Sequence, residues 1–246
     1  MLKKLSALLF LCALCMWAAD FWTTKPFTEW NEKEVAKILS DSPWTEKVSI
    51  SSGPGAPPSI GAGGGGGGGR GGRGGGPQGD STTADPGIGG GGGGDFGGGG
   101  GGGSISVTLL WQTALPIKQA LVKRQYGAEA GTSPEAKARL DRVEQVYVLT
   151  LIGMPANLLG AAQGDKKAAL LDVTMVSVGG KPPVKPIDVQ SSGGRGPVGN
   201  MSFLFPKTTP FTVEDKEMQF STKFDKTAVK AKFKLKDMVF NGKVEM

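Results

Sequence analysis

Residues 218–235 read MQFSTKFDKTAVKAKFKL, and the pattern of this stretch predicts the fold class of the chain. Apolar and polar residues alternate along its two halves, Met218–Phe224 and Val229–Leu235, and Asp225-Lys226 lies between them. A period of two is typical of strands that bury one face and expose the other. Because the connection is so short, the stretch predicts an antiparallel hairpin over Asp225-Lys226.

The sequence on either side of this hairpin continues the antiparallel pattern. Further strands are predicted at Leu171–Val178, Ile187–Gln190 and Met201–Phe205. Asn241-Gly242 follows an apolar segment and precedes a second short one, and this dipeptide is a strong signal for a two-residue hairpin turn. We therefore expect this part of the chain to be mostly antiparallel sheet.

Helices are predicted in the first part of the chain and after the glycine-rich tract. Asn31 is a candidate N-cap, and Glu34 three residues later completes the pattern of a capping box. A second helix is predicted from Pro116 to about Tyr126, where Gly127 stops it. Ser133 is the expected cap of a third helix.

Two more strands complete the predicted architecture. Ser104–Thr113 alternates in hydrophobicity, and Val146–Ile152 is a nearly continuous apolar run, as expected for a strand covered on both faces. The sum predicts an α+β fold with helices packed on a mostly antiparallel sheet. Trp30 and Trp44 are expected to pack the first helix onto this body.

A glycine-rich segment interrupts the predicted fold. Residues 51–103 hold about 30 of the 42 glycines and almost no apolar side chains, so we expect a disordered insertion that acts as a linker. The chain then divides into a signal peptide at 1–19, an N-terminal helix–strand unit at 20–50, the linker at 51–103 and the main α+β domain at 104–246. The second and fourth parts are expected to form one globular domain.

The first residues have the pattern of an export signal. Lys3 and Lys4 precede an apolar stretch, and Ala18-Ala19 offers small residues just before the polar Asp20. This pattern predicts an exported protein, periplasmic or secreted. If the signal is not cleaved, residues 1–19 would anchor the protein in the membrane.

The composition excludes several kinds of chemistry. The chain has no histidine, and its two cysteines, Cys12 and Cys15, lie inside the predicted signal. A mature chain without either residue has no disulfide, no His or Cys metal site and no Ser-His or Cys-His nucleophile pair. We therefore expect no enzyme activity, no metal and no cofactor. Without Lys3 and Lys4 the charge falls from +6 to +4, which does not indicate a general polyanion-binding surface.

One charge pattern suggests a binding site. In residues 229–236 every second residue is a lysine, and strand geometry places Lys230, Lys232, Lys234 and Lys236 together on the face opposite the apolar residues. One interpretation is a solvated face whose charges prevent edge-to-edge pairing of sheets. The other is a row of cations for an anionic lipid, an acidic glycan or an acidic partner.

Two weaker patterns are an acidic cluster and an arginine–glycine segment. Glu214, Asp215 and Glu217 form an acidic cluster that would suit a carboxylate-dependent hydrolase only if they share a buried pocket; exposed turn residues are the favoured interpretation. Arg70 and Arg73 resemble an RGG segment, but two arginines and an export signal favour a linker without a nucleic acid partner.

The two ends of the predicted globular part resemble a known group of proteins. The runs KPFTEW at 25–30 and SPW at 42–44, with KFKLKDM at 232–238, are similar to the corresponding runs of exported bacterial proteins that have no assigned function. The resemblance implies export. It implies no activity, cofactor or site residue.

These observations lead to three hypotheses on function. The first is an exported, non-enzymatic protein of the bacterial envelope that acts as a structural or interaction module for an envelope partner. The second is a binding module for an anionic surface or glycan through the lysine-bearing strand. The third is the carboxylate-dependent hydrolase.

Overall fold

The computed structural model describes residues 20–51, 59–60, 104–193, 197–208, 210–225 and 227–246. The predicted signal peptide and nearly all of the predicted disordered linker lie outside the described residues.

The described chain contains short helices and eleven strands. The helices are α1 (Phe21–Thr24), α2 (Glu32–Ser40), α3 (Leu115–Tyr126), α4 (Pro134–Asp141), α5 (Ala156–Leu159) and α6 (Gly164–Val173). The longer strands are β1 (Thr45–Ser51), β3 (Ser104–Trp111), β4 (Val146–Pro155), β6 (Asp188–Gly193), β7 (Val198–Pro206), β8 (Glu217–Phe224) and β9 (Thr227–Lys234). The shorter ones are β2 (Ser59–Ile60), β5 (Met175–Val178), β10 (Val239–Phe240) and β11 (Lys243–Val244).

These strands form two main sheets and one small hairpin. The first sheet has the order β1-β3-β4-β7-β6 and is antiparallel throughout. The second has the order β2-β9-β8-β5, in which β2 and β9 form the one parallel pair of the described strands. The predicted class, helices packed on mostly antiparallel sheet, is therefore confirmed.

The two sheets pack their inner faces against each other. On the first sheet Phe203 and Phe205 point inward from β7, and their ring centroids lie 5.4 and 6.4 Å from that of Phe220 on β8. Trp111 of β3 meets Phe233 of β9 at 6.0 Å in the same core. Strand β1 also lies against β9, so the sheets meet along this edge.

Aromatic side chains fix the N-terminal unit onto the sheets, as predicted. Trp30 and Trp44 are 2% and 0% exposed, and the Trp44 indole donates a hydrogen bond of 3.0 Å to the carbonyl of Glu245. The predicted capping box is present, since Asn31 Oδ1 accepts from the Glu34 amide and the Glu34 carboxylate accepts from the Asn31 amide.

Both predicted hairpins are confirmed. Phe224 pairs with Thr227, and the turn residue Asp225 has a φ of 49°. Asn241 and Gly242 have φ values of 50° and 79°, the left-handed pair that a type I′ turn requires.

The predicted strand bounds were wrong at several places. The sequence predicts one strand over Leu171–Val178, but helix α6 continues to Val173 and strand β5 begins at Met175. The sequence preceding Leu171 is rich in lysine, alanine and leucine, which favour helix, and the Thr174 hydroxyl donates to the Leu170 carbonyl at the helix end. The bounds of the predicted linker also differ, because residues 51, 59 and 60 belong to strands.

Candidate anion-binding face

The alternation of residues along β9 positions a row of lysines on the outer face of the second sheet. Val229, Ala231 and Phe233 are at most 1% exposed and point into the core. Lys230, Lys232 and Lys234 therefore occupy the opposite face, where Lys234 is exposed and Lys230 and Lys232 are partly exposed. We call the outer surface of β8 and β9 that carries these three lysines the lysine face.

The fourth predicted lysine does not belong to this row. Strand β9 ends at Lys234, and Lys236 is an exposed residue of the turn that follows. The Leu235 amide still donates to the carbonyl of Lys216, and the chain then turns, with the amides of Asp237 and Met238 donating to the carbonyls of Lys234 and Leu235. The prediction that Lys236 extends the strand face was wrong.

The register of β8 and β9 adds polar neighbours to the lysine face. Lys230 lies opposite Ser221, Lys232 opposite Gln219 and Lys234 opposite Glu217. Lys223 lies on the same face of β8, opposite Ala228, and is exposed. The alternation of Gln219, Ser221 and Lys223 with buried residues would have identified this lysine from the sequence.

One carboxylate forms an ion pair on the lysine face. Glu217 Oε1 of β8 lies 2.9 Å from Lys232 Nζ, and these side chains are 43% and 40% exposed. The sequence did not predict this contact. Glu46 of β1 is partly buried, and this burial raises the pKa of its carboxyl while the charge of Lys234 acts in the opposite direction.

The predicted acidic cluster is not brought together as a site. Glu214 is exposed, Glu217 pairs with Lys232, and Asp215 Oδ2 lies 2.6 Å from Lys181 Nζ. Burial raises the pKa of Asp215, but its bonds to Lys181 and to the Thr212 amide outweigh burial and leave that pKa below its usual value. A carboxylate held ionised in this way is a poor general acid.

Other lysines of the described chain are held by partners within the protein. Lys118 Nζ donates to the carbonyl oxygens of Leu140 and Arg142 and lies 4.0 Å from Glu144. Lys243 Nζ lies 2.9 Å from Glu245 Oε1. These cations are already engaged within the protein, in contrast to Lys230 on the lysine face, for which the described part of the chain provides no ion-pair partner.

The chain matches no protein-family model, no curated protein and no solved structure. Among the described residues, no helix is both long and apolar enough to cross a membrane. Within those same ranges, no group of three acidic, His or Cys side chains is arranged to hold a metal ion.

Proposed function

We propose that the protein is an exported, non-enzymatic binding module of a bacterial envelope, and that its lysine face binds an acidic polysaccharide. The observation that carries the proposal is the row Lys230, Lys232 and Lys234 on the outer face of β9. Alternate residues of a strand are roughly 6.5 to 7 Å apart, so the ammonium groups form a linear array. A polymer with regularly repeated carboxylates or sulfates matches such an array.

The surroundings of the lysines favour a polymer over a lipid bilayer. Proteins that lie on membranes usually combine cations with apolar side chains that enter the lipid interface. Ser221 and Gln219 occupy the positions opposite Lys230 and Lys232. The exposed large apolar side chains of the described chain lie outside β8 and β9, at Val143, Val173, Ile187, Val198 and Val213.

The export part of the proposal is supported by the sequence. The pattern of residues 1–19 is that of a signal peptide, and the rest of the chain has neither histidine nor cysteine. A non-enzymatic role is supported by the separate lysine partners of Asp215 and Glu217, because the predicted acidic cluster then supplies no carboxylate pair for acid–base chemistry.

The test compares the chain with the variant K230Q/K232Q/K234Q for binding to polygalacturonate, with uncharged dextran as the blank. A basic residue beside an anionic surface contributes about 1 kcal/mol, so the loss of three predicts binding weaker by about 100-fold. Binding of the unchanged chain should also weaken steeply with added salt. Circular dichroism and thermal unfolding check that the variant folds.

The control variant K33Q/K137Q/K166Q removes the same charge from exposed lysines that lie far from β9 in the sequence. It should bind polygalacturonate nearly as well as the unchanged chain. The proposed site is rejected if K230Q/K232Q/K234Q binds polygalacturonate as well as the unchanged chain does. It is also rejected if K33Q/K137Q/K166Q loses as much binding as the lysine-face variant. Binding of phosphatidylglycerol vesicles but not of polygalacturonate would reject the polysaccharide as the ligand.

A further inference from the structure

We infer that Glu217 is a built-in counter-ion of the lysine face, which the anionic ligand has to displace when it binds. The inference rests on the proposed function of the lysine face and concerns how that face is regulated. The Glu217 carboxylate would then compete with the ligand for Lys232, and the affinity for the ligand would be set by this acid as well as by the lysines.

The contact between Glu217 and Lys232 has the geometry of a displaceable ion pair. Their charged atoms are 2.9 Å apart, yet both side chains remain about two-fifths exposed. Ion pairs of this kind contribute about 0 to 1 kcal/mol because water solvates both groups. A ligand anion can therefore replace the Glu217 carboxylate at Lys232 without an uncompensated buried charge being left behind.

Glu217 lies at one end of the lysine row. In the register of the hairpin it is opposite Lys234, the last residue of β9. Its carboxylate reaches back along the face to Lys232.

At the opposite end, no acid of the described residues forms an ion pair with Lys230. Lys230 lies across from Ser221, and Lys223 follows on the outer face of β8. Within the described part of the chain the row is therefore asymmetric, with one end that carries the internal carboxylate of Glu217 and one end that does not. A linear polyanion would contact Lys230 and Lys223 first and then exchange with Glu217.

The decisive experiment measures polygalacturonate binding by E217Q in the full chain, with E129Q as a control. Glu129 is an exposed acid in the short 3-10 helix after α3, and its replacement changes the net charge by the same amount. Loss of the internal competitor should tighten binding by E217Q by about two- to fivefold, the equivalent of an exposed ion pair. E129Q should bind as the unchanged chain does.

A double-mutant comparison locates the effect at Lys232. If Glu217 acts by occupying Lys232, the gain from E217Q should disappear in the K232Q background. Equal affinity of E217Q and the unchanged chain would overturn the inference, and so would an equal gain in E129Q. Either result overturns the role of Glu217 only. The proposed function fails on a separate result, namely if K230Q/K232Q/K234Q binds polygalacturonate as well as the unchanged chain does.

Discussion

At the scale of single residues, the structure separates side chains that look alike in the sequence. Asp215 and Glu217 are two residues apart, but one closes a turn with Lys181 and Thr212 while the other faces the lysine row. Neither role follows from residue type. Each depends on which strand or loop brings a lysine within reach.

Asp215 provides a prediction on the pH dependence of stability. Its pKa is lowered in the folded protein, so its stabilising effect is complete above the unfolded value of about 3.9 and is lost as the pH falls towards the folded pKa. Asp215→Asn, which does not titrate, should therefore be less stable than the unchanged chain at pH 7. Below a pH of about 4 the difference in the free energy of unfolding between the two chains should shrink. Urea unfolding between pH 7 and a pH below about 4 measures this difference.

The exposed neighbour Glu214 supplies the control for this experiment. Glu214→Gln removes the same charge without breaking a bond to Lys181 and should leave stability at pH 7 nearly unchanged. If the free energies of unfolding of Asp215→Asn and the unchanged chain differ by the same amount at every pH, ionisation of Asp215 does not contribute to stability.

The residues of the lysine face were only partly predictable. Alternation along one strand was enough to place Val229, Ala231 and Phe233 inside and three lysines outside. It could not show that the strand ends before Lys236. The ion pair between Glu217 and Lys232 depends on side-chain reach across the hairpin, which a local pattern does not encode.

At the scale of elements, two glycines allow β6 and β7 to pair beyond the predicted strands. The sequence predicts that β7 starts at Met201, but it starts at Val198, and Gly199 pairs with Gly193 of β6. Glycine is disfavoured in strands on average. Here its missing side chain leaves room for Leu159 of α5.

Substitution of this glycine should destabilise the element. A Cβ at Gly199 would lie 2.5 Å from the Ser192 carbonyl oxygen and 2.6 Å from Leu159 Cδ1, so backbone or helix has to move. Gly199→Ala should lower the free energy of unfolding by about 1 to 3 kcal/mol. Denaturant unfolding measures the change.

Gly160→Ala is the matched control for this substitution. Gly160 has a helical φ of −62°, and a Cβ there would have no neighbour within 4 Å. The control should be neutral or slightly stabilising, since alanine restricts the unfolded chain. Similar stability of the two variants would contradict the role assigned to Gly199.

At the scale of the whole molecule, the sequence predicted the fold class but not the arrangement of the sheets. Alternation identifies strands and their buried faces, whereas the division into two sheets depends on long-range pairing. Strand β1 pairs with β3 across the whole glycine-rich segment, and it also lies along β9 near the other end of the chain. No local pattern predicts such neighbours.

Removal of the glycine-rich segment tests whether that pairing depends on it. Residues 61–103 contain two large apolar side chains, Ile88 and Phe96, and therefore little that could contribute to a core. We expect that their deletion, bridged by a short Gly-Ser linker, leaves the fold intact. Since halving a flexible loop changes its closure free energy by only about 0.6 kcal/mol, the melting temperature should change little. A large fall in thermal stability would contradict this.

The hydrogen bond from Trp44 to the Glu245 carbonyl has a consequence for biogenesis. Its partners are 201 residues apart, and at about 5 to 20 residues per second a ribosome needs about 10 to 40 seconds to make the intervening chain. During this time Trp44 has neither its acceptor nor the ring of Phe240 against it. The nascent N-terminal unit therefore lacks these two contacts of Trp44 until synthesis is nearly over. If the chain is exported as proposed, this late completion would help to keep it unfolded for passage through a translocation channel.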